Sequence, residues 1–157
     1  MKQYLKKLEE QIRLKDSKAA LCDYGGACYT YADVATLIEK YHIFFQAAGI
    51  RKGDKIALCA RNSARWAIAF LAVNTYEAVI VPILPNFTAE GTAQLIRHSD
   101  SVLLIADSDI WKQIRNLELP QVRGILDARE DRLLWSSDQR LQLAWQDREQ
   151  LFRDCYP

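Results

Sequence analysis

Hydrophobic positions recur most clearly over residues 30–48, where Tyr31, Val34, Leu37, Ile38, Tyr41, Phe44 and Phe45 return on one face of a 3.6-residue period. Thr30 with Asp33 supplies an N-terminal cap, and Gly49 supplies the C′ stop, so the pattern predicts a helix with both ends marked. After a turn at 50–54, Ile56, Leu58 and Cys59 lead a strand over 55–60. Asn62-Ser63 then caps a helix over 64–76 that is apolar on nearly every side (Trp66, Ile68, Ala69, Phe70, Leu71, Val73), which predicts packing on more than one face. The continuous run at 78–82 reads as a strand covered on both faces.

Downstream, Thr88 caps a helix to His98, a buried strand follows at 102–106, a short helix at 109–115 and a strand at 122–126. A last helix over 138–153 carries Leu141, Ala144, Trp145, Leu151 and Phe152 on one stripe. Upstream, Leu5, Leu8 and Ile12 make a narrow stripe on a charged helix. Such a helix docks on its own domain or touches a membrane surface, and the Lys/Glu mixture favours docking. Residues 19–23 and 28–31 flank Tyr24-Gly25-Gly26, a hairpin whose glycines would take positive φ. Strands alternating with helices call for an α/β fold: a mostly parallel sheet with helices on both faces, preceded by a helix and a hairpin.

Composition narrows the function classes. With 157 residues and a net charge of +1, the chain fits one domain and offers no general attraction for nucleic acid. Tyr4, Tyr24, Tyr29, Tyr31 and Tyr41 are too dispersed for a base-stacking platform. The most hydrophobic stretch, 66–84, is broken by Asn74, Glu77 and Pro82 and falls short of the ~20 apolar residues of a membrane span. No signal peptide opens the chain, so a cytoplasmic location is expected. Cys22, Cys28, Cys59 and Cys155 include no C-x-x-C pair, which argues against zinc and for buried free thiols in a reducing compartment.

Alternating sheets bind ligands beyond the carboxyl ends of their strands. The three such loops are Arg61-Asn62-Ser63, residues 84–88, and Asp107-Ser108-Asp109. None carries a glycine-rich phosphate loop or a nucleophile elbow. Asp107 and Asp109 could share a cation, but an Asp between strand and helix is more often an N-cap. His98, beside Ser99 and Asp100, reads as a capping or surface residue rather than a general base, and His42 as a residue at the core's edge.

Three stretches together resemble the N-terminal part of AMP-forming acyl-CoA synthetases, the adenylate-forming enzymes. Thr30-Tyr31-Ala32-Asp33-Val34 is similar to their T-Y-x-E-L helix start. Residues 49–58 are similar to G-[VI]-x-x-G-D-x-[VI]-A-[IL]. Asn62 to Trp66, Ala69 to Ala72 and Val79 to Ile83 follow N-S-x-E-W … A-x-L-A … G-A-V-x-V-P-[IL]. Thr88-Ala89-Glu90 and residues 96–103 fit the helix and strand that come next, and Pro82-Ile83-Leu84 with His98-Ser99-Asp100 leans toward the long-chain fatty acid–CoA ligase branch. Arg65 replaces the common Glu, and Tyr76-Glu77-Ala78 stands where the family has Lys-Ala-Gly.

The resemblance implies an N-terminal subdomain, residues 1–157, of a ligase that activates a fatty acid with ATP and Mg²⁺ and passes the acyl group to CoA. The family's phosphate loop and catalytic lysine lie later in its chains, so this chain alone is expected to hold no cofactor and to be inactive. Its partners would be the downstream subdomains, with fatty acid and CoA for the intact enzyme. The loop after the 78–82 strand would approach CoA, which points to Leu84, Pro85 and Asn86, while Trp111 stands where some relatives offer CoA a basic residue. A second reading is a non-catalytic binding or assembly module, with homodimerisation covering the all-apolar 64–76 helix.

Overall fold

The computed structural model describes residues 3–157, so Met1 and Lys2 of the first predicted helix lie outside the described residues. Helix α1 (Gln3–Leu14) leads into a hairpin of β1 (Ala19–Cys22) and β2 (Cys28–Thr30), then α2 (Tyr31–Ala47). The alternating part follows as β3 (Lys55–Cys59), α3 (Ala64–Thr75), β4 (Val79–Pro82), α4 (Ala89–His98), β5 (Leu103–Ala106), α5 (Ser108–Ile114) and β6 (Gly124–Asp127). Strand β7 (Leu133–Ser136) and helix α6 (Gln139–Cys155) complete it.

Helix α2 begins where its sequence directs. The Thr30 hydroxyl accepts the Asp33 N–H at 3.1 Å while the Asp33 carboxylate takes the Thr30 N–H at 2.8 Å, a reciprocal capping box. It ends at Gly49, whose φ of 73° lies in the left-handed region that glycine enters without cost.

Five strands form one sheet in the order β4-β3-β5-β6-β7, parallel except for β7, which returns antiparallel along β6. Alternate residues feed two cores. Ile56, Leu58, Leu103, Ile105 and Leu126 face α2, α3 and α6, where Phe44, Phe45, Val73 and Leu141 pack on them. Ala57, Cys59, Leu104, Ala106 and Ile125 face α4 and α5. A third cluster, Val34, Ile38, Ile68 and Ala72 with Leu21 and Tyr29, seals α3 against α2 and the hairpin.

Several expectations change here. Helix α3 is apolar all round because its own chain packs on it twice, from the sheet and from α2. Strand β4 does send side chains to both faces, Ile80 to one core and Val81 to the other, but it is also an edge strand, with Val79 45% exposed. Its β-branched run reports β-propensity, whereas topology decides that it ends the sheet. Val79 and Ile83 donate their N–H groups inward to Asp54 and Leu58, so the outward-facing positions are Ile80 and Pro82. Pro82 has no N–H to offer a further strand, which blunts this edge.

Cys22 and Cys28 are not buried thiols. They sit directly opposite each other in the hairpin, both exposed, and are joined as a disulfide. Cys59 is buried and free, and Cys155 is exposed and free. Of the two hairpin glycines only Gly25 takes positive φ. Among the described residues no helix is long and apolar enough to cross a membrane.

Candidate functional site

The chain runs from β3 to β4 on one side and then crosses back to β5 on the other, so the sheet's switch point lies between the carboxyl ends of β3 and β5. Cys59 pairs with Ala106 at that end, and the next residues outward come from the β3–α3 and β5–α5 loops. Arg61 and Asp107 meet there. The Asp107 carboxylate, 3% exposed, accepts the Arg61 backbone N–H at 3.0 Å and its guanidinium at 2.9 Å through Oδ2. Its Oδ1 accepts Arg129 Nε at 3.0 Å from the loop after β6. One buried carboxylate thus ties three strand ends together.

A second layer surrounds it. Arg61 also makes a two-pronged pair with Asp109 at 2.7 and 3.1 Å. That hydrogen bonding raises the guanidinium's affinity for its proton further and holds the Asp109 carboxyl below the usual carboxylate range. Asp127, at the end of β6, takes the N–H groups of Arg129 and Glu130 through Oδ1 and the Arg132 guanidinium through Oδ2. Its burial pushes the carboxyl up, but these hydrogen bonds outweigh it and leave the group lowered.

Asp107 therefore serves neither of the roles expected of it: its side chain does not cap α5, and both it and Asp109 are spent on arginines rather than on a shared cation. Beneath the network, burial pushes the Cys59 thiol up to about 11, so no thiolate forms near neutral pH. His98 is exposed in the last turn of α4, where a cation suits the helix dipole. His42 lies between α2 and α3, with Nε2 3.0 Å from the Ala72 carbonyl and 2.9 Å from Thr75 Oγ1.

The loop after β4 leaves the sheet at Ile83, whose N–H binds Leu58 O, and then presents Leu84 at 67% exposure, followed by Pro85 and an exposed Asn86. Thr88 Oγ1 accepts the Gly91 N–H at 3.1 Å and starts α4 directly behind it. Trp111 is elsewhere. It pairs with Trp135 at 6.1 Å between ring centres and lines a groove of about 400 Å³ with Arg115, Leu119, Ile125 and Leu134. That groove lies over β6 and β7, three positions along the sheet from β4, or roughly 14 Å at ordinary strand spacing. The structure does not bring Trp111 together with Leu84, Pro85 and Asn86.

The sequence profile of the family described as AMP-binding enzyme matches residues 8–153. This chain belongs to the AMP-binding enzyme family. It is 27% identical over 113 residues to the crotonobetaine/carnitine–CoA ligase of Escherichia coli, an alignment that takes in 68% of this chain and 22% of that protein. The chain thus spans about a fifth of the length of the curated relatives it matches. Among solved structures it resembles the coronafacic acid ligase of Pectobacterium brasiliense, with a TM-score of 0.72, 20% identity, and coverage of 76% of this chain and 24% of that one. The Mycobacterium tuberculosis fatty acyl CoA synthetase gives a TM-score of 0.66 at 24% identity, over 86% of this chain and 27% of that one. At these identities the two structures establish a shared fold.

Proposed function

We propose that this chain is the N-terminal part of a fatty acid–CoA ligase, in which ATP activates a carboxylic acid as its acyl-adenylate and the CoA thiol then takes the acyl group. The family match over residues 8–153 carries this reading. Names among its relatives support it, since they include a carnitine–CoA ligase and a fatty acyl CoA synthetase. The leaning toward fatty acids comes from the Pro82-Ile83-Leu84 and His98-Ser99-Asp100 segments.

Within this reading the described residues shape a wall rather than the reacting centre. The crevice carboxylates are bound to Arg61, Arg129 and Arg132, and the crevice loops lack the glycines that wrap a phosphate, so the residues present do not fit Mg²⁺ or the ATP phosphates. Leu84, Pro85 and Asn86 form the exposed loop offered to CoA. The arginine–aspartate network holds the ends of β3, β5 and β6 in fixed register behind that surface.

The test is acid-dependent ATP–pyrophosphate exchange, run on the product of the reading frame that encodes this chain and on the 157-residue chain by itself. Fatty acids should drive exchange in the first and not in the second. Exchange with carnitine-like acids alone would overturn the fatty-acid assignment. Exchange by the 157-residue chain would overturn its inactivity, and no exchange with any acid by the larger product would overturn the ligase reading.

A further inference from the structure

We infer that Cys22 and Cys28 form a reversible thiol–disulfide couple whose state sets the grip of the hairpin on the start of α3, at the mouth of the switch-point crevice. Three observations carry this. The two cysteines occupy directly opposed positions of an antiparallel pair and are both exposed, so an external thiol can reach either sulfur. They are six residues apart in sequence, and so short a loop gives a disulfide little entropic stabilisation, which favours reversal. Between them lies Asp23, the hairpin's only side-chain link to α3 among the described hydrogen bonds: its Oδ1 accepts the Ala64 N–H at 2.7 Å.

Ala64 is the first residue of α3 and is buried, and its N–H has no partner within the helix. Ser63 Oγ takes the Trp66 N–H at 3.0 Å, so the helix start needs two side chains, one of its own and one from the hairpin. The carboxylate also lies at the positive end of the helix dipole. Asp23 is held for this task by the closed turn, its N–H bonded to Ala27 O at 2.8 Å and its carbonyl to the Gly26 N–H at 3.0 Å. Two residues before Ser63 is Arg61, so the hairpin's grip bears on the loop that supplies the crevice arginine.

The co-reactant is a small-molecule thiol. Its thiolate attacks one cysteine sulfur, breaks the S–S bond and releases the other cysteine as a thiolate. A second thiol attacks the mixed disulfide and frees the first cysteine. Two electrons and two protons pass from two external thiols to the protein, and the external pair leaves as a disulfide. With the bond open, the strands lose their covalent tie and Asp23 is held at Ala64 by the turn's hydrogen bonds alone.

The experiment uses the 157-residue chain with Cys155→Ser, which removes the exposed free thiol. The protein is equilibrated across ratios of reduced to oxidised glutathione, alkylated and weighed, and its amide exchange is measured at both ends of the series. Two alkyl groups per chain should appear cooperatively toward the reducing end, and Ala64 should exchange at least about tenfold faster there. In oxidised protein Asp23→Ala should reproduce that acceleration, and in the Cys22→Ser/Cys28→Ser double variant Ala64 should exchange at the reduced rate in every buffer. Full alkylation of Cys22 and Cys28 at the oxidising end would overturn the couple. An Ala64 rate that ignores the redox state, or an oxidised Asp23→Ala protein with unchanged exchange, would overturn the link to α3. Neither readout requires ligase activity.

Discussion

Asp107 shows how much one buried carboxylate can organise. It binds the backbone of one strand end and the guanidinium groups of two, and its partners are about half exposed while it is almost fully enclosed. Asp107→Ala should destabilise the chain by about 2–3 kcal/mol in urea unfolding, because the Arg61 N–H and two guanidinium groups lose their acceptor together. Arg129→Ala, which leaves the Arg61 contacts in place, should cost less than about 1 kcal/mol in the same assay. His42 makes a different prediction. The Ala72 carbonyl can only accept, so Nε2 carries a proton, and burial pushes the imidazole below its ordinary value, outweighing the hydrogen bond to that carbonyl. The folded chain therefore holds the neutral ring while the unfolded chain takes up a second proton near pH 6.5. Stability from His42 is complete above about pH 6.5 and is lost as the pH falls toward the lowered folded value. Urea midpoints measured from pH 8 to pH 5 should decline below about 6.5 in the native sequence and decline less in His42→Gln.

Elements pack against one another here with little slack, and Gly124 marks one such close approach. A Cβ at that position would stand 2.7 Å from Leu141 Cδ2 and 2.9 Å from Cδ1, so a side chain there would force the Leu141 side chain of α6 to shift. Gly124→Ala should cost roughly 1–3 kcal/mol, and combining it with Leu141→Ala should cost less than the sum of the two single changes, a coupling measurable in a double-mutant cycle. The order of elements through β6 and the last helix was legible because each carries its own period or cap: Thr30, Ser63 and Thr88 all bind the third residue onward, as their positions suggested. Strand β7 was not legible, since Leu133-Leu134-Trp135-Ser136 is four residues without alternation and takes its place by pairing with β6. The crevice was half legible. The three loops were located correctly, but Arg61, Asp107 and Arg129 are 46 and 22 residues apart, and no local spacing joins them. Their one shared mark is that each follows closely on the end of a strand.

At the scale of the whole molecule, the first and last long helices are fastened to each other. Phe44 meets Trp145 edge-on at 5.3 Å, Lys40 pairs with Glu149 at 3.0 Å, and Arg140 Nε reaches the Ala47 carbonyl at 2.9 Å. Helix α6 also covers the sheet through Leu141 and Ala144. A chain ending at residue 137 should therefore lose cooperative urea unfolding and bind a hydrophobic dye; a sharp transition in that truncation would show that α6 is an accessory rather than part of the core. The pairing has a consequence in time as well as in space. During synthesis at the usual 5–20 residues per second, the stretch from Ala47 to Gln139 takes roughly 5–20 s to make. For that interval the emerging chain carries the Phe44 face of α2 without Trp145 to cover it, so the nascent protein presents this aromatic surface to whatever waits outside the ribosome until α6 is made.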